Sequence, residues 1–229
     1  VASDGSTTDD TEYENTAEVI ESITTNGRRT YNSEIVSIPG NYNIGEPDTA
    51  LSERIAIVPP FDYCEVEDIL NEAKSKNEKA FILILDGIED PHNLGSIIRT
   101  AETAGVHGII IPKRRAAAVN STVVKTSAGA TSFMKVARVN NINETIKYLK
   151  ENNVWIYGTD IETEKMYYDE DLTGNVAIVI GSEGFGMSRL VKENCDFLIK
   201  IPMKGKITSL NASVSAGIVM YEAVKQRMK

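Results

Sequence analysis

The chain has 229 residues and a formal net charge of −9, long enough for one sizeable domain plus a smaller piece. No apolar run approaches the roughly 18 residues of a membrane helix, and the acidic, hydroxyl-rich N-terminus reads as no secretory signal. The two cysteines, Cys64 and Cys195, and the two histidines fall in no metal-binding or redox spacing, so a reduced, cytoplasmic protein without a metal site is predicted.

Residues 1–12 are polar and acidic, with no apolar period, and read as a disordered tail. Residues 13–54 hold one short helical pattern (Ala17, Val19, Ile20, Ile23), a possible strand from Glu34 to Ile38 and a Gly-, Pro- and Asn-rich tract from Pro39 to Thr49. The pattern changes at Arg54. A short apolar stretch, Ile55 to Val58, precedes Pro59-Pro60 and a helix from about Val66 to Lys74. Strands are then predicted at 81–85, 108–111, 133–139, 154–158, 176–180 and 197–201. They alternate with helices at 95–104, 120–129, 142–152, 188–194 and 210–227. Continuous apolar strands such as Val176 to Ile180 are buried on both faces. Their alternation with helices implies an α/β domain with a mostly parallel sheet over residues 55–229.

An acidic chain is at first sight a poor partner for nucleic acid, but the charge is unevenly spread. Residues 1–54 hold 11 acidic and 3 basic groups, net −8; residues 55–229 hold 22 acidic and 21 basic groups, net −1. The acidity resides in the leader, and a local basic face remains available at Lys113, Arg114, Arg115 and Lys125. A solvated loop is the competing reading of those residues.

Three segments carry chemistry. In the first, Asp86 to Glu102, a strand ends, Pro91, Asn93 and Gly95 punctuate a loop, and a helix begins with Arg99 in its first turns. A cation there, where the macrodipole disfavours one, suggests an anion-binding site; a surface ion pair with Glu102 or Glu89 is the alternative. The second, Gly181 to Ser188, leaves the carboxyl end of a buried strand, where α/β proteins bind ligands. Its glycines let backbone approach a ligand closely. The Gly-Lys-Ser/Thr ending of a phosphate loop is absent, and Glu183 would repel phosphate, so sugar hydroxyls, a cation or a partner amide suit it better. The plainer reading is a tight turn in which Glu183 caps the next helix. The third, Ile201 to Ser213, ends another strand; Ser209 and Asn211 are suited to N-capping the last helix. That helix carries a stripe of Ala216, Val219, Met220 and Ala223.

These segments, in this order, resemble the three motifs of the SpoU/TrmH family of RNA ribose 2′-O-methyltransferases: Asn93-x-Gly95-x-x-x-Arg99, Gly181-x-Glu183-x-x-Gly186, and Ile201-Pro202-Met203 with Ser209-Leu210-Asn211. The resemblance runs from about Arg54 to the end. Around Pro112 to Arg115 and Ser209 to Glu222 it is closest to bacterial 23S rRNA guanosine 2′-O-methyltransferases. It implies an α/β fold with a deep C-terminal trefoil knot, and S-adenosylmethionine as methyl donor with no metal. It implies cofactor contacts from the backbone at Gly181, Ile201 and Leu210, and catalytic roles for Asn93, Arg99, Glu183, Ser209 and Asn211. Residues 13–54 then read as a truncated or divergent L30e-like RNA-binding segment and linker, with Asn15 to Ser37 resembling the beginning of that domain, and a homodimer pairs through the last helix and the knot region. The family reading makes Arg99 a general base; because a guanidinium resists deprotonation, clamping phosphate and stabilising an alkoxide asks less of it. rRNA is the first substrate expected and tRNA the second. A non-catalytic RNA-binding knotted domain is the alternative of a different class. A dinucleotide-dependent oxidoreductase is disfavoured, since no Gly-x-Gly-x-x-Gly follows the first strand.

Overall fold

The structure, a computed structural model, describes residues 35–38, 54–57 and 61–228. The tail over 1–12, the helical pattern at 17–23 and the tract 39–49 lie outside the described residues. The chain divides into two units, Val1–Asp62 and Tyr63–Lys229. In the first, β1 (Ile35–Ile38) and β2 (Arg54–Ile57) pair antiparallel, with Ile35 opposite Ile57 and Ile38 opposite Arg54.

The second unit is the α/β domain that the apolar runs predict. Its elements follow in the order α1 (Val66–Ser75), β3 (Phe81–Asp86), α2 (Pro91–Thr103), β4 (Gly108–Pro112), α3 (Ser121–Thr126), β5 (Val136–Val139), α4 (Ile142–Glu151), β6 (Trp155–Thr159), β7 (Val176–Gly181), α5 (Arg189–Asn194), β8 (Phe197–Ile199) and α6 (Ala212–Arg227). The six strands β3 to β8 form one parallel sheet ordered β5-β4-β3-β7-β6-β8. β3 and β7 lie side by side at its centre and are almost wholly buried. On one face Ile82, Ile84, Ala177 and Val179 pack with α1 and α4 through Ile69, Ile146 and Leu149. α6 packs against α2 and β7. Among the described residues no helix is long and apolar enough to cross a membrane.

Two expected boundaries change. The strand anticipated from 133 starts at Val136, because a 3₁₀ turn occupies Ala130–Ser132. More consequentially, α2 begins at Pro91, four residues before the predicted start at 95. Asp90 is its N-cap, with Oδ1 accepting the His92 N–H at 3.0 Å, and Pro91, which needs no partner for a missing N–H, opens the first turn. Asn93 and Gly95 are therefore helical, and Arg99 stands in the third turn. Gly95 is a close-packing site: a Cβ there would lie 2.7 Å from the Thr126 Cβ and 3.0 Å from the Val123 carbonyl oxygen, so its absence lets α3 settle against α2.

The last helix turns its apolar stripe inward. Ala216, Val219, Met220 and Ala223 are 0 % exposed in the single chain. The stripe therefore packs in the chain's own core, the plainer reading of its pattern. Arg227 pins the end of this helix: its guanidinium donates to the carbonyls of Lys79 (2.9 Å), Ala80 (3.2 Å), Leu172 (3.0 Å) and Gly174 (2.7 Å) and lies 4.7 Å over the Phe81 ring.

His107 joins the start of β3 to the turn before β4. Its Nδ1 accepts the Phe81 N–H at 3.0 Å, so the neutral ring carries its proton on Nε2, which donates to Glu78 Oε2 at 3.0 Å. Burial pushes this imidazole below its ordinary pKa, with Glu78 opposing in part. A lowered folded-state value means that the contribution to stability is complete above the unfolded value of about 6.5 and is lost as pH falls through the folded one. The melting temperature is expected to drop between pH 7.5 and 5.5, and less so in His107→Gln. Equal drops in both proteins would remove His107 as the cause.

Candidate active site

The order of strands reverses between β3 and β7, which makes the carboxyl ends of these two strands a switch point where ligands bind. Two cavities open there. One, of about 400 Å³, lies at the ends of β6, β7 and β8 and is lined in part by Thr159, Gly181, Ile201, Met203, Ser209 and Leu210. The other, of about 940 Å³, lies at the ends of β3, β4 and β5. The loop 182–187 lines both.

That loop is folded back on itself. The Ser182 N–H donates to the Gly186 carbonyl at 3.0 Å and the Gly186 N–H to the Ser182 carbonyl at 2.9 Å. The reversal requires a positive φ of 66° at Gly186. It also requires Gly181: a Cβ there would sit 2.2 Å from the Gly186 carbonyl carbon and 2.3 Å from the Met187 nitrogen. The first glycine of the motif thus makes room for its own loop, where the sequence suggested room for a ligand. Asp86, at the end of β3, accepts the Ser188 N–H at 2.6 Å and ties down the loop's far end.

Residues from all three motifs meet at a single oxygen. Glu183 Oε1 accepts Asn93 Nδ2 at 3.0 Å, the Ala212 N–H at 3.1 Å and Asn211 Nδ2. Asn211 Nδ2 also reaches Asn93 Oδ1 at 2.9 Å, while Asn211 Oδ1 accepts the N–H groups of Ser213 (3.0 Å) and Val214 (3.3 Å). Asn211 is therefore the N-cap of α6, as its residue type suggested, and part of the cluster as well. The carboxylate of Glu183 sits at the amino end of α6, where the macrodipole favours an anion. It caps that helix and not α5, the next one in sequence. Among the described residues Glu183 Oε2 accepts no hydrogen bond, so one oxygen is structural and the other remains available.

The remaining candidates divide. Gly181, Ile201, Leu210 and Ser209 all line the smaller cavity. Arg99 lines neither cavity: it is exposed, points outward from the third turn of α2, and forms no ion pair among the described residues. Neither its expected place in the first turns of a helix nor a pairing with Glu89 or Glu102 is met. The sequence reading missed Asp160, Glu162 and Lys192 at the smaller cavity. Lys192 Nζ lies 2.8 Å from Asp160 Oδ2 and 2.6 Å from Glu162 Oε2. These hydrogen bonds, that to Asp160 first, hold the ammonium above its usual pKa range. The position of Asp160 just beyond the strand predicted at 154–158 was the available signal. Burial pushes the thiol of Cys195, near Gly158, up to about 12, which disfavours the thiolate form.

Known proteins are similar to this chain in sequence and fold. The sequence profile of the SpoU rRNA Methylase family matches residues 80–221. A Bacillus subtilis protein described as a TrmH family tRNA/rRNA methyltransferase, YacO, is 53% identical over 173 residues, which span 76% of this chain and 70% of that one. The SpoU methyltransferase AviRb from Streptomyces viridochromogenes, solved in complex with the cofactor AdoMet, superposes with a TM-score of 0.68 at 30% identity, covering 76% of this chain and 68% of that one. An AdoMet-bound rRNA methyltransferase from Sinorhizobium meliloti gives a TM-score of 0.67 at 27% identity over 75% of this chain and 63% of that one. With the profile spanning the sheet, both cavities and the Glu183 cluster, the chain belongs to the SpoU rRNA methylase family.

Proposed function

We propose that the protein transfers a methyl group from S-adenosylmethionine to a ribose 2′-hydroxyl of RNA, with a guanosine of 23S rRNA as the first substrate and tRNA as the second. The observation that carries this reading is the meeting of Asn93, Glu183 and Asn211 beside the smaller cavity.

The lining of that cavity suits the donor. Its charged groups are Asp160, Glu162, Glu183 and Lys192, an acidic balance that disfavours a phosphate-bearing cofactor and favours a sulfonium with an ammonium group. Ile180, Ile201, Met203 and Leu210 supply apolar surface for a nucleobase, and the backbone at Gly181, Ile201 and Leu210 supplies its polar contacts. S-adenosylmethionine bound there supplies a methyl group already activated for displacement. The chain's own work is positioning. Glu183 Oε2 accepts the hydrogen bond of the ribose hydroxyl and takes up its proton as the methyl group is transferred, while Asn93 and Asn211 hold the carboxylate in place. Ser209 orders the loop beside the ribose. Arg99 grips the neighbouring phosphate and stabilises the forming alkoxide by charge.

Because Arg99 lines neither cavity of its own chain, we place it in the active site of a second copy. The outer side of α6 supports a homodimer. Val214 and Tyr221 are each 49% exposed and Met228 is 82% exposed, with Ile218 beside them, so this helix is apolar on both sides. Tyr221 Oη donates to Thr103 Oγ1 at 3.4 Å, and Arg99 lies one turn before Thr103 on α2, at the border of that face. Sedimentation at micromolar concentration is expected to give twice the chain mass, and an active monomer would refute the pairing. For the activity itself, the test is incubation with methyl-labelled S-adenosylmethionine and unmodified rRNA and tRNA, followed by mapping of methylated riboses. Label on neither RNA would refute the reading.

A further inference from the structure

The larger cavity, at the ends of β3, β4 and β5, is left open by the cofactor placement proposed above and shares one wall, the loop 182–187, with that site. We propose that it receives the acceptor nucleotide, swung out of its RNA stack, with Arg114 and Arg115 on its phosphate and Glu89 and Asn140 on the edge of its base. The inference rests on the RNA methyltransferase reading and adds to it the residues that choose the nucleotide.

Four observations point this way. First, the volume of about 940 Å³ is ample for a nucleotide, and a nucleotide turned out of its stack is the form whose base edge a concave pocket can read. Second, Arg114 and Arg115 line the cavity from the loop after β4, and both are exposed, as a phosphate grip requires. Third, Phe185 is 96% exposed at the tip of the shared wall and lines both cavities. A bare aromatic ring at the mouth of a cavity is suited to stacking on a base. Fourth, the polar side chains here are unequally engaged. Asp86 and Asp90 accept backbone N–H groups of Ser188 and His92, and Asn141 and Asn143 accept from the amino end of α4 and from Asn194. Glu89 and Asn140 have no partner among the described residues.

An unengaged carboxylate and an unengaged amide lining one cavity have a defined preference. Guanine offers two adjacent N–H donors, at N1 and N2, which match the two oxygens of Glu89, and a neighbouring O6 acceptor, which matches the Asn140 N–H. Adenine, cytosine and uracil do not present that sequence of groups. The Glu183 cluster then lies between this nucleotide and the cofactor, where the ribose hydroxyl must be.

The test uses the full chain and an RNA fragment carrying the mapped target, synthesised with guanosine or with inosine, which lacks the N2 amine. Wild type is expected to favour guanosine by about tenfold or more in kcat/KM, the discrimination typical of one hydrogen-bonded base contact. Glu89→Gln is expected to bring that ratio close to one. Arg114→Ala with Arg115→Ala is expected to raise the KM for RNA, to flatten its salt dependence by about one to two units of slope and to leave the affinity for S-adenosylmethionine unchanged. A target base other than guanosine, or an unchanged guanosine-to-inosine ratio in Glu89→Gln, would overturn the base assignment. Unchanged KM and salt slope in the arginine variant would overturn the phosphate assignment. Both results presuppose a wild-type enzyme that methylates RNA; its failure to do so would overturn the underlying functional reading instead.

Discussion

Arg99→Ala is expected to slow single-turnover methylation on the order of 10²-fold or more, the loss typical of removing one electrostatic stabiliser of a developing charge. Arg99→Lys keeps the cation but loses the bidentate fork and should fall only part of the way. Cofactor affinity should stay constant in both, since Arg99 lines neither cavity. The exposure of Arg99 gives this experiment its edge. An exposed arginine with no catalytic duty contributes at most about 1 kcal/mol through any ion pair, so near-wild-type rates in Arg99→Ala would remove it from the site. Mixing Arg99→Ala with a variant defective in the cofactor cavity tests the shared site directly. Restored activity in the mixed dimer is expected if Arg99 serves the partner, and no restoration is expected if each chain works alone.

The cofactor-defective variant is Gly181→Val. Its Cβ would fall 2.2 Å from the Gly186 carbonyl carbon, a clash with backbone that no side-chain rotation relieves. The loop 182–186 must open, and with it go the position of Glu183 and the wall common to both cavities. Overpacking of this kind costs about 1–3 kcal/mol, which corresponds to a roughly 5- to 150-fold weaker affinity for S-adenosylmethionine by calorimetry. RNA methylation should fall further, because the Glu183 cluster is displaced as well. The core beneath the loop is closed by β3 and β7, so the variant should still fold, with its melting temperature lowered by about 2–4 °C per kcal/mol of that cost. Undiminished cofactor affinity in the folded variant would move the cofactor out of the smaller cavity.

The last helix shows why pattern reading was incomplete. Its period of apolar residues was legible, but two opposite stripes of one helix look alike in sequence. The inner stripe, Ala216, Val219, Met220 and Ala223, fills the core, and the outer one, Val214, Ile218, Tyr221 and Met228, stays outside. Only the packing of α6 against α2 and β7 decides which is which. The start of α2 was misplaced for a related reason. Pro91 and Gly95 read locally as turn residues, yet the first is tolerated in an opening turn and the second is demanded by contact with α3, about 30 residues away.

What the sequence determined by itself is therefore the local and periodic part: six buried strands alternating with helices, the parallel sheet that follows from them, and three polar segments leaving strand ends. Hydrophobic runs and cap residues act over a few positions, so they can be read without knowing what lies across the sheet. What only the tertiary structure decided is the convergence. Asn93, Glu183 and Asn211 are separated by 90 and 28 residues, and their hydrogen bonds exist because β3 and β7 are neighbours in the sheet while α6 returns to the same end. The division into two cavities, the free oxygen of Glu183 and the outward position of Arg99 likewise depend on strand order, which is set by the global burial of apolar surface and not by any one segment.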